Sequence, residues 1–474
     1  MFKPPVQRGM KELDKSAFSL TRSVVALRVP TKSVGKIKAD LESDVLRMHR
    51  VRNVVADKSG GDEHKLVLLR PEITSAELRE ASEQLRRLVQ DNGWEALAHD
   101  VTMNYEDWTA DDILKAVLPD PNQAPTAYEQ IGHIAHMNLR DEYLEYKTLI
   151  GQVILDKSPT VTTVVNKLDS IDNTFRNFKM EVLAGKADFV AQVRENDCVF
   201  RFDYSKVYWN SRLHQEHERL IGKFKNGSSV CDVMAGVGPF AVPAARRGSL
   251  VWANDLNPAS FAALTDNIGL NKVQDRVQAS NMDGRDFIRQ AFADFYAATQ
   301  NGPLTLPPIP RSASASRIRP VPASKHGQQQ PIPVTSRSFD HVVMNLPAIA
   351  IEFLDAFRGL FRRITGASDS SSVNLPVIHA HCFTKSDEPE RDILQRACRA
   401  MGYPEDKYLD LDAEVFFVRK VAPHKDMYCL SLSLPKAVAY AEEPSSNEIA
   451  ESGLKRKQAE LEEAGEAKVC KADE

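Results

Sequence analysis

Four polar residues, Asp232, Asp255, Asp283 and Asn345, each close a short apolar run, and the first opens the stretch "DVMAGVGPFAVPAA", residues 232 to 245. An apolar strand that passes through Gly-x-Gly into a helix lets backbone amides approach a nucleotide-like ligand, because glycine accepts positive φ and carries no Cβ. Gly236 and Gly238 supply that freedom, and Pro239 suits the first position of the helix that follows. Asp255 stands 23 residues after Asp232, the offset at which an acid meets a ribose hydroxyl in Rossmann-type folds. With Ala241 the loop also satisfies the dinucleotide pattern G-x-G-x-x-G/A, so these residues admit NAD and S-adenosylmethionine alike. A tight strand-to-helix turn that holds no ligand is a third reading.

Two further run ends separate the cofactors. "NMDGRDF" brings Asp283-Gly284, where a carboxylate can accept from an adenine amino group, and "MNLPA" brings Asn345-Leu346-Pro347. Asn-x-Pro at such a place resembles the tetrapeptide with which amino-group methyltransferases hold a planar nitrogen beside the methyl donor. A dehydrogenase has no use for that turn, and no His or Tyr-Lys arrangement for hydride transfer accompanies it. S-adenosylmethionine is the expected cofactor. No metal is expected: the six cysteines are scattered without a C-x-x-C pair, and His133 and His136, three apart on an expected strand, face opposite sides.

Elements that alternate must place these residues. From about 200 to 438, "SVCDVMA", "LVWAND", "VQASNMD", "FDHVVMNL", "PVIHAHCF", "EVFFVRKVA" and "DMYCLSLSL" read as strands, most separated by helical stretches such as "PASFAALTDNIGLN" and "PERDILQRACRAMG". Only "PHK" joins the last two strands, too short for a parallel crossover, so they form an antiparallel hairpin at the end of a mostly parallel seven-stranded sheet. This is the α/β plan of the class I, Rossmann-like methyltransferases.

The 474 residues suggest two or three domains, and 42% hydrophobic content suffices for packed cores. Small α/β units precede the large one. Residues 1–105 read as strand "SVVALRVP", helix "KSVGKIKADLESDVLR", strand "HKLVLLR" and helix "TSAELREASEQLRRLVQD", and residues 106–205 form a middle domain. The cofactor domain then spans 206–440. Within it, residues 300–338 hold eight prolines, five Lys or Arg and no acid, a composition expected to stay disordered. The tail 441–474, with ten acids against five bases, is expected to do the same, and it hides a nearly neutral body behind the formal charge of −4. Net charge therefore excludes no polyanionic partner.

Six motifs together resemble the archaeal and eukaryotic tRNA (guanine-37 N1) methyltransferase family: "DNTFRNFKMEVLAG" (172–185), "VYWNSRLHQEHERLI" (207–221), "DVMAGVGPFAVPAA" (232–245), "ANDLNP" (253–258), "NMDGRDF" (281–287) and "MNLPA" (344–348). The resemblance runs over roughly residues 15–435. It implies methyl transfer from S-adenosylmethionine to N1 of guanosine 37 in the anticodon loop. It makes Glu216 the general base, Arg176 the cation that stabilises charge on O6, and Asn345 the group that orients the base. Its cofactor positions fall on His217, Asp232, Gly236, Gly238, Asp255, Leu256, Asp283, Gly284 and Asn345. Read without the family, Glu216 is a helical glutamate four residues after Arg212, suited to a surface ion pair.

The resemblance also implies tRNA with G37 as partner, contacted at its body by the N-terminal domain, and a cytosolic, mitochondrial-matrix or nuclear location. A monomer is expected. The absence of an eighteen-residue apolar run or a secretory segment gives no reason to expect a membrane. The closest alternative is an aminocarboxypropyl transferase of the wybutosine route, and a more distant one is a non-catalytic RNA-binding module that keeps the fold.

Overall fold

The apolar run from Val24 to Val29 becomes strand β1 (Leu20–Pro30) in the computed structural model, which describes residues 2–35, 37, 41–57, 61–171, 178–309, 330–367 and 373–442. The chain divides into two units, Met1–Ala191 and Gln192–Glu474. In the first unit β1 lies inside an antiparallel sheet of order β2-β3-β1-β4, with β2 (Val54–Ala56), β3 (His64–Leu68) and β4 (Glu95–Met103). Side chains alternate across a strand. Val25, Leu27 and Val29 therefore join one core with Leu85 of helix α1 (Glu83–Asn92), while Val24 and Ala26 join another. The second core also takes in Ile113 and Leu114 of α2 (Ala110–Val117) and Ile150 of α3 (Lys147–Lys157). A second sheet adds Ala135, Met137, Val164 and Leu183 to it, in the order β5 (Glu129–Ile131), β6 (Ile134–Met137), β7 (Thr163–Ile171), β8 (Phe178–Gly185).

That shared core draws on residues from both sides of the boundary expected at 105. Two expected helices are also shorter. The one over 74–91 starts only at Glu83, where the Ser82 side chain accepts from the Leu85 amide. The one over 32–47 follows a 3-10 turn at Thr31–Ser33 with helical residues 34, 35 and 37 and gives way to a turn at 41–44, while residues 36 and 38–40 lie outside the described set. His133 stands in the turn before β6 and His136 on β6 itself, so the two do not share a strand.

The second unit opens on the hairpin β9 (Val190–Glu195) and β10 (Cys198–Asp203), turned by Asn196 and Asp197 at φ 48° and 62°. Positive φ at both central residues matches the twist of a two-residue hairpin. The unit's helices include α4 (His214–Ile221), α5 (Ala241–Arg246), α6 (Pro258–Leu270), α7 (Gly284–Thr299), α8 (Leu360–Thr365) and α9 (Pro389–Met401). Asn267 of α6 and the adjoining Asn271 accept from the amides of Arg201 and Val199, both at 2.8 Å. These bonds tie the hairpin to the cofactor domain, which therefore begins before 206.

Its sheet has the order β13-β12-β11-β16-β17-β19-β18. The strands are β11 (Ser229–Asp232), β12 (Leu250–Asn254), β13 (Val277–Ser280), β16 (His341–Met344), β17 (Val377–Thr384), β18 (Ala413–Ala422) and β19 (Lys425–Ser433). Strands β11, β12, β13, β16 and β17 run parallel, and β19 inserts antiparallel between β17 and β18, as the short "PHK" link requires. Between β13 and β16, β14 (Leu304–Leu306) pairs antiparallel with β15 (Ile332–Val334). Leu306 and Val334 are buried in the main core, so both ends of the segment expected to be disordered are strands, while residues 310–329 lie outside the described set. Alternating apolar residues between the prolines supply enough burial there. No helix among the described residues is long and apolar enough to cross a membrane.

Candidate active site

Strand β11 has β12 on one side and β16 on the other, so the connections leave it in opposite directions and open a crevice at the carboxyl ends of the strands. Four expected residues meet at this edge: Asp232 ends β11, Asp255 follows β12, Asp283 follows β13 and Asn345 follows β16.

The loop after β11 is held from below. The Gly236 amide donates to Asp255 Oδ2 at 2.8 Å, and Asp255 Oδ1 accepts from the Asn257 amide at 2.9 Å. The two glycines differ in use. A Cβ on Gly236, at φ 56°, would meet nothing within 4 Å, whereas one on Gly238, at φ 99°, would lie 2.8 Å from Leu264 and 2.9 Å from Val242. Only Gly236 presents open backbone, and Gly238 serves close packing. The helix α5 begins at Ala241, two residues beyond Pro239, although the Val242 amide already bonds the Gly238 carbonyl at 3.0 Å. Asn254, which the sequence reading passed over, staples the edge: its Nδ2 donates to the carbonyls of Val233 and Met282, and its Oδ1 accepts from the Met282 amide.

Charge at this edge is poorly compensated. Asp232 is fully buried and neither of its oxygens has a hydrogen-bond partner of good geometry; burial, then the neighbouring Asp255, push its carboxyl up to about 8. Burial also raises Asp255. Asp283 is exposed and caps α7 through the Arg285 amide at 2.9 Å, and Gly284 beneath it leaves room for the Phe353 ring, which an added Cβ would approach to 2.8 Å. Leu256 is exposed. Asn345 Oδ1 is buried without a partner, in a turn pinned where Pro347 accepts from the Phe383 amide at 3.0 Å.

A second group lies under α4. Glu216 and His217 are both buried, unlike the surface ion pair that the spacing from Arg212 suggests. The helix starts at His214, which leaves Arg212 outside it and exposed, and the partner of Glu216 is Arg219. Arg219 Nε donates to Oε2 at 2.6 Å and Nη2 to Oε1 at 2.7 Å, while His381 Nε2 on β17 meets Oε1 at 2.8 Å. Burial raises the Glu216 carboxyl, but the Arg219 and His381 bonds overcome it and hold the group down at about 2. His217 Nδ1 is 2.5 Å from Glu195 Oε1, also buried, and its ring stands edge-on to Phe240. The donor atoms of Glu216, His381 and Cys429 lie within 4.8 Å of one another. With a guanidinium already on both Glu216 oxygens, the trio is a charge network rather than an open metal site. Arg176 falls among residues 172–177, outside the described set.

The strand-end set and the α4 set thus account for every expected site residue except Arg176. Arg219, His381, Glu195 and Asn254 were missed. Arg219 alone left a local signal, an i,i+3 spacing from Glu216.

The chain matches the family model for the TRM5/TYW2 methyltransferase domain over residues 191–297 and that for the TYW2 N-terminal domain over residues 110–188. It is 44% identical over 436 residues, 91% of this chain and 96% of the relative, to the tRNA (guanine(37)-N(1))-methyltransferase of Schizosaccharomyces pombe. To the enzyme of that name in Danio rerio it is 43% identical over 467 residues, 97% and 89% of the two chains. Among solved structures, Trm5b from Pyrococcus abyssi shares the fold at a TM-score of 0.55 with 21% identity, covering 86% of this chain and 99% of that one. With a third of the positions or more identical along nearly its whole length, the chain belongs to the tRNA (guanine(37)-N(1))-methyltransferase family.

Proposed function

We propose that this protein transfers a methyl group from S-adenosylmethionine to N1 of guanosine 37 in a tRNA anticodon loop. The observation that carries the reading is the similarity to enzymes of that name along nine-tenths of the chain. The strand-end edge suits such a donor. Asp232 and Asp255 are raised by burial, so a cation among them relieves both, whereas a dinucleotide pyrophosphate would add negative charge. Gly236 offers open backbone, Leu256 an exposed apolar edge, and Asn345 a buried oxygen that lacks a donor. The bound cofactor supplies an electrophilic methyl carbon on a sulfonium.

Neutral guanine carries a proton on N1, so the nitrogen has no free pair until a base removes it and charge builds on O6. Glu216 is the proposed acceptor of that proton, Arg176 the cation for O6, and Asn345 the residue that orients the ring. Recognition of an unstacked loop base is the usual mode for sequence-specific RNA binding. A protein of the same fold has been solved with tRNALeu, which supports tRNA as the partner.

The test is incubation of the full chain with G37 and A37 tRNA transcripts and S-adenosylmethionine labelled either in the methyl group or in the aminocarboxypropyl carbons. Methyl label recovered as 1-methylguanosine from the G37 transcript alone is expected. Transfer of the aminocarboxypropyl label would overturn the reading in favour of the wybutosine-route chemistry, and binding with neither transfer would leave an RNA-binding module.

A further inference from the structure

We propose that Arg219 and His381 are positioning residues for the proton transfer, which hold Glu216 ionised and turned so that a single lone pair on Oε2 is its proton-accepting site. This rests on the reading of Glu216 as the proton acceptor.

An ionised carboxylate offers about four lone-pair positions. Arg219 occupies one on each oxygen through its planar fork, and His381 occupies a second on Oε1. The position left over is on Oε2. The fold fixes this count. His381 on β17 and Phe416 on β18 stand opposite the same residue of β19, Cys429, so the three side chains share one face of the sheet. The spacing of Glu216 and Arg219 sets both on one side of α4, and the Arg219 guanidinium rests 4.0 Å from the Phe416 ring centroid. The next row repeats the arrangement: Lys223, just past α4, pairs with Glu414 at 2.6 Å, and Glu414 stands in line with Ser431 and His379. Arg219 on α4 and His381 on β17 thus bond the carboxylate, with Phe416 on β18 and Cys429 on β19 backing those two.

Electrostatics agrees with the geometry. Burial opposes charge on His381, but Cys429 and Glu216 hold its imidazolium above the ordinary histidine range. The groups that face Glu216 are Arg219 on its own helix, His381 on β17, Cys429 on β19 and Glu414 on β18. Asp232 on β11 and His379 on β17 act on it through His381. In the step itself the N1–H bond of guanine breaks, its electron pair stays on the ring, and the proton goes to Oε2. Glu216 becomes neutral while Arg219 and His381 keep their protons.

The sign of the pH effect follows. Glu216 is depressed in the folded protein, so its accepting form persists down to acid pH, and loss of either cation moves its protonation upward. The experiment measures single-turnover methyl transfer by the full chain at saturating tRNA and S-adenosylmethionine from pH 5 to 9. His381→Gln keeps a donor for Oε1 but carries no charge, and Arg219→Gln removes the fork. Wild type should show no acid limb from this carboxyl. His381→Gln should lose up to about twofold at pH 5 relative to wild type, with the gap closing as pH rises and cofactor affinity unchanged; Arg219→Gln should shift further. A loss equal at every pH, or none, would overturn the proposal. If Arg219→Gln fails to fold by its melting curve, His381→Gln decides alone. Glu216→Gln run alongside separates the two levels: an inactive Glu216→Gln with a wild-type profile for His381→Gln sinks only this inference, and a fully active Glu216→Gln sinks the base reading as well.

Discussion

The ends of the parallel strands and the face of α4 toward β17 treat buried polar atoms in opposite ways. At the strand ends, Oδ1 of Asn345 is buried with no hydrogen-bond partner, and the buried oxygens of Asp232 have only the poorly aligned amides of Met234 and Ala241 near them. Under α4, Glu216 has three bonds from Arg219 and His381, and His217 is paired to Glu195. An unmet buried polar atom costs about 1–3 kcal/mol. A fold keeps that cost where something else completes the site, so the strand ends depend on a ligand, while the α4 network closes on itself except at His381 Nδ1, which is buried beside the Cys429 thiol without a hydrogen bond of good geometry. Perturbing the first should change with cofactor. Perturbing Glu216 in the second should not.

The largest effect tests that independence. Glu216→Gln should lower the single-turnover rate by roughly 10²–10⁴, the range for a general acid-base group, while calorimetry finds S-adenosylmethionine bound within about twofold of wild type. A parallel loss of cofactor affinity would make the two regions one site and end the comparison.

Asp232→Asn addresses the other region. The folded carboxyl is raised to about 8, first by burial and then by Asp255, above its ordinary value of 3.8. A raised acid is as stable as its neutral counterpart below the unfolded pKa, and it loses ground as pH rises toward the folded one. Without cofactor, wild type should therefore fall behind Asp232→Asn in chemical denaturation between about pH 4 and 8. The gap should be on the order of a few kcal/mol and level off above that window. Saturating S-adenosylmethionine should narrow it, because a cation nearby favours the charged carboxylate. A gap indifferent to cofactor would mean that Asp232 is only a buried defect.

These contrasts also show what the sequence could carry. The seven strands of the large sheet were readable because each is a short apolar run between turn residues, and the "PHK" link fixed the direction of β18 and β19. Strand β4 escaped because its residues are mostly exposed or half-buried, and its place comes from pairing with β1 some seventy positions earlier. Asp232, Asp255, Asp283 and Asn345 were legible since each follows its own strand. The partners of Glu216 were not: His381 is 165 residues away, inside the apolar run "VIHAHCFT", where nothing local marks it as the neighbour of an acid. The expected pairing with Arg212 failed because the helix begins two residues too late to include it. That residues on both sides of 105 share a core was not legible, because it depends on β1 being buried on both faces, a property of assembly rather than of pattern.

The smallest effect separates two glycines that the sequence treats alike. Gly236 and Gly238 both have positive φ, at 56° and 99°, so alanine at either strains the backbone by about 1 kcal/mol. Beyond that they part. A Cβ at 238 would press on Leu264 and Val242, and overpacking of that kind costs about 1–3 kcal/mol. Gly238→Ala should therefore lower the melting temperature by several degrees with or without cofactor. At 236 the Cβ enters open space, and the nearby Gly236 amide is already spent on Asp255. Gly236→Ala should melt closer to wild type and lose S-adenosylmethionine affinity instead, which thermal shift with and without cofactor would resolve in one experiment. Equal affinity for wild type and Gly236→Ala would mean that the open side of the loop is not where the ligand approaches. The crevice would then have to be read from Asn345 and Asp283 alone.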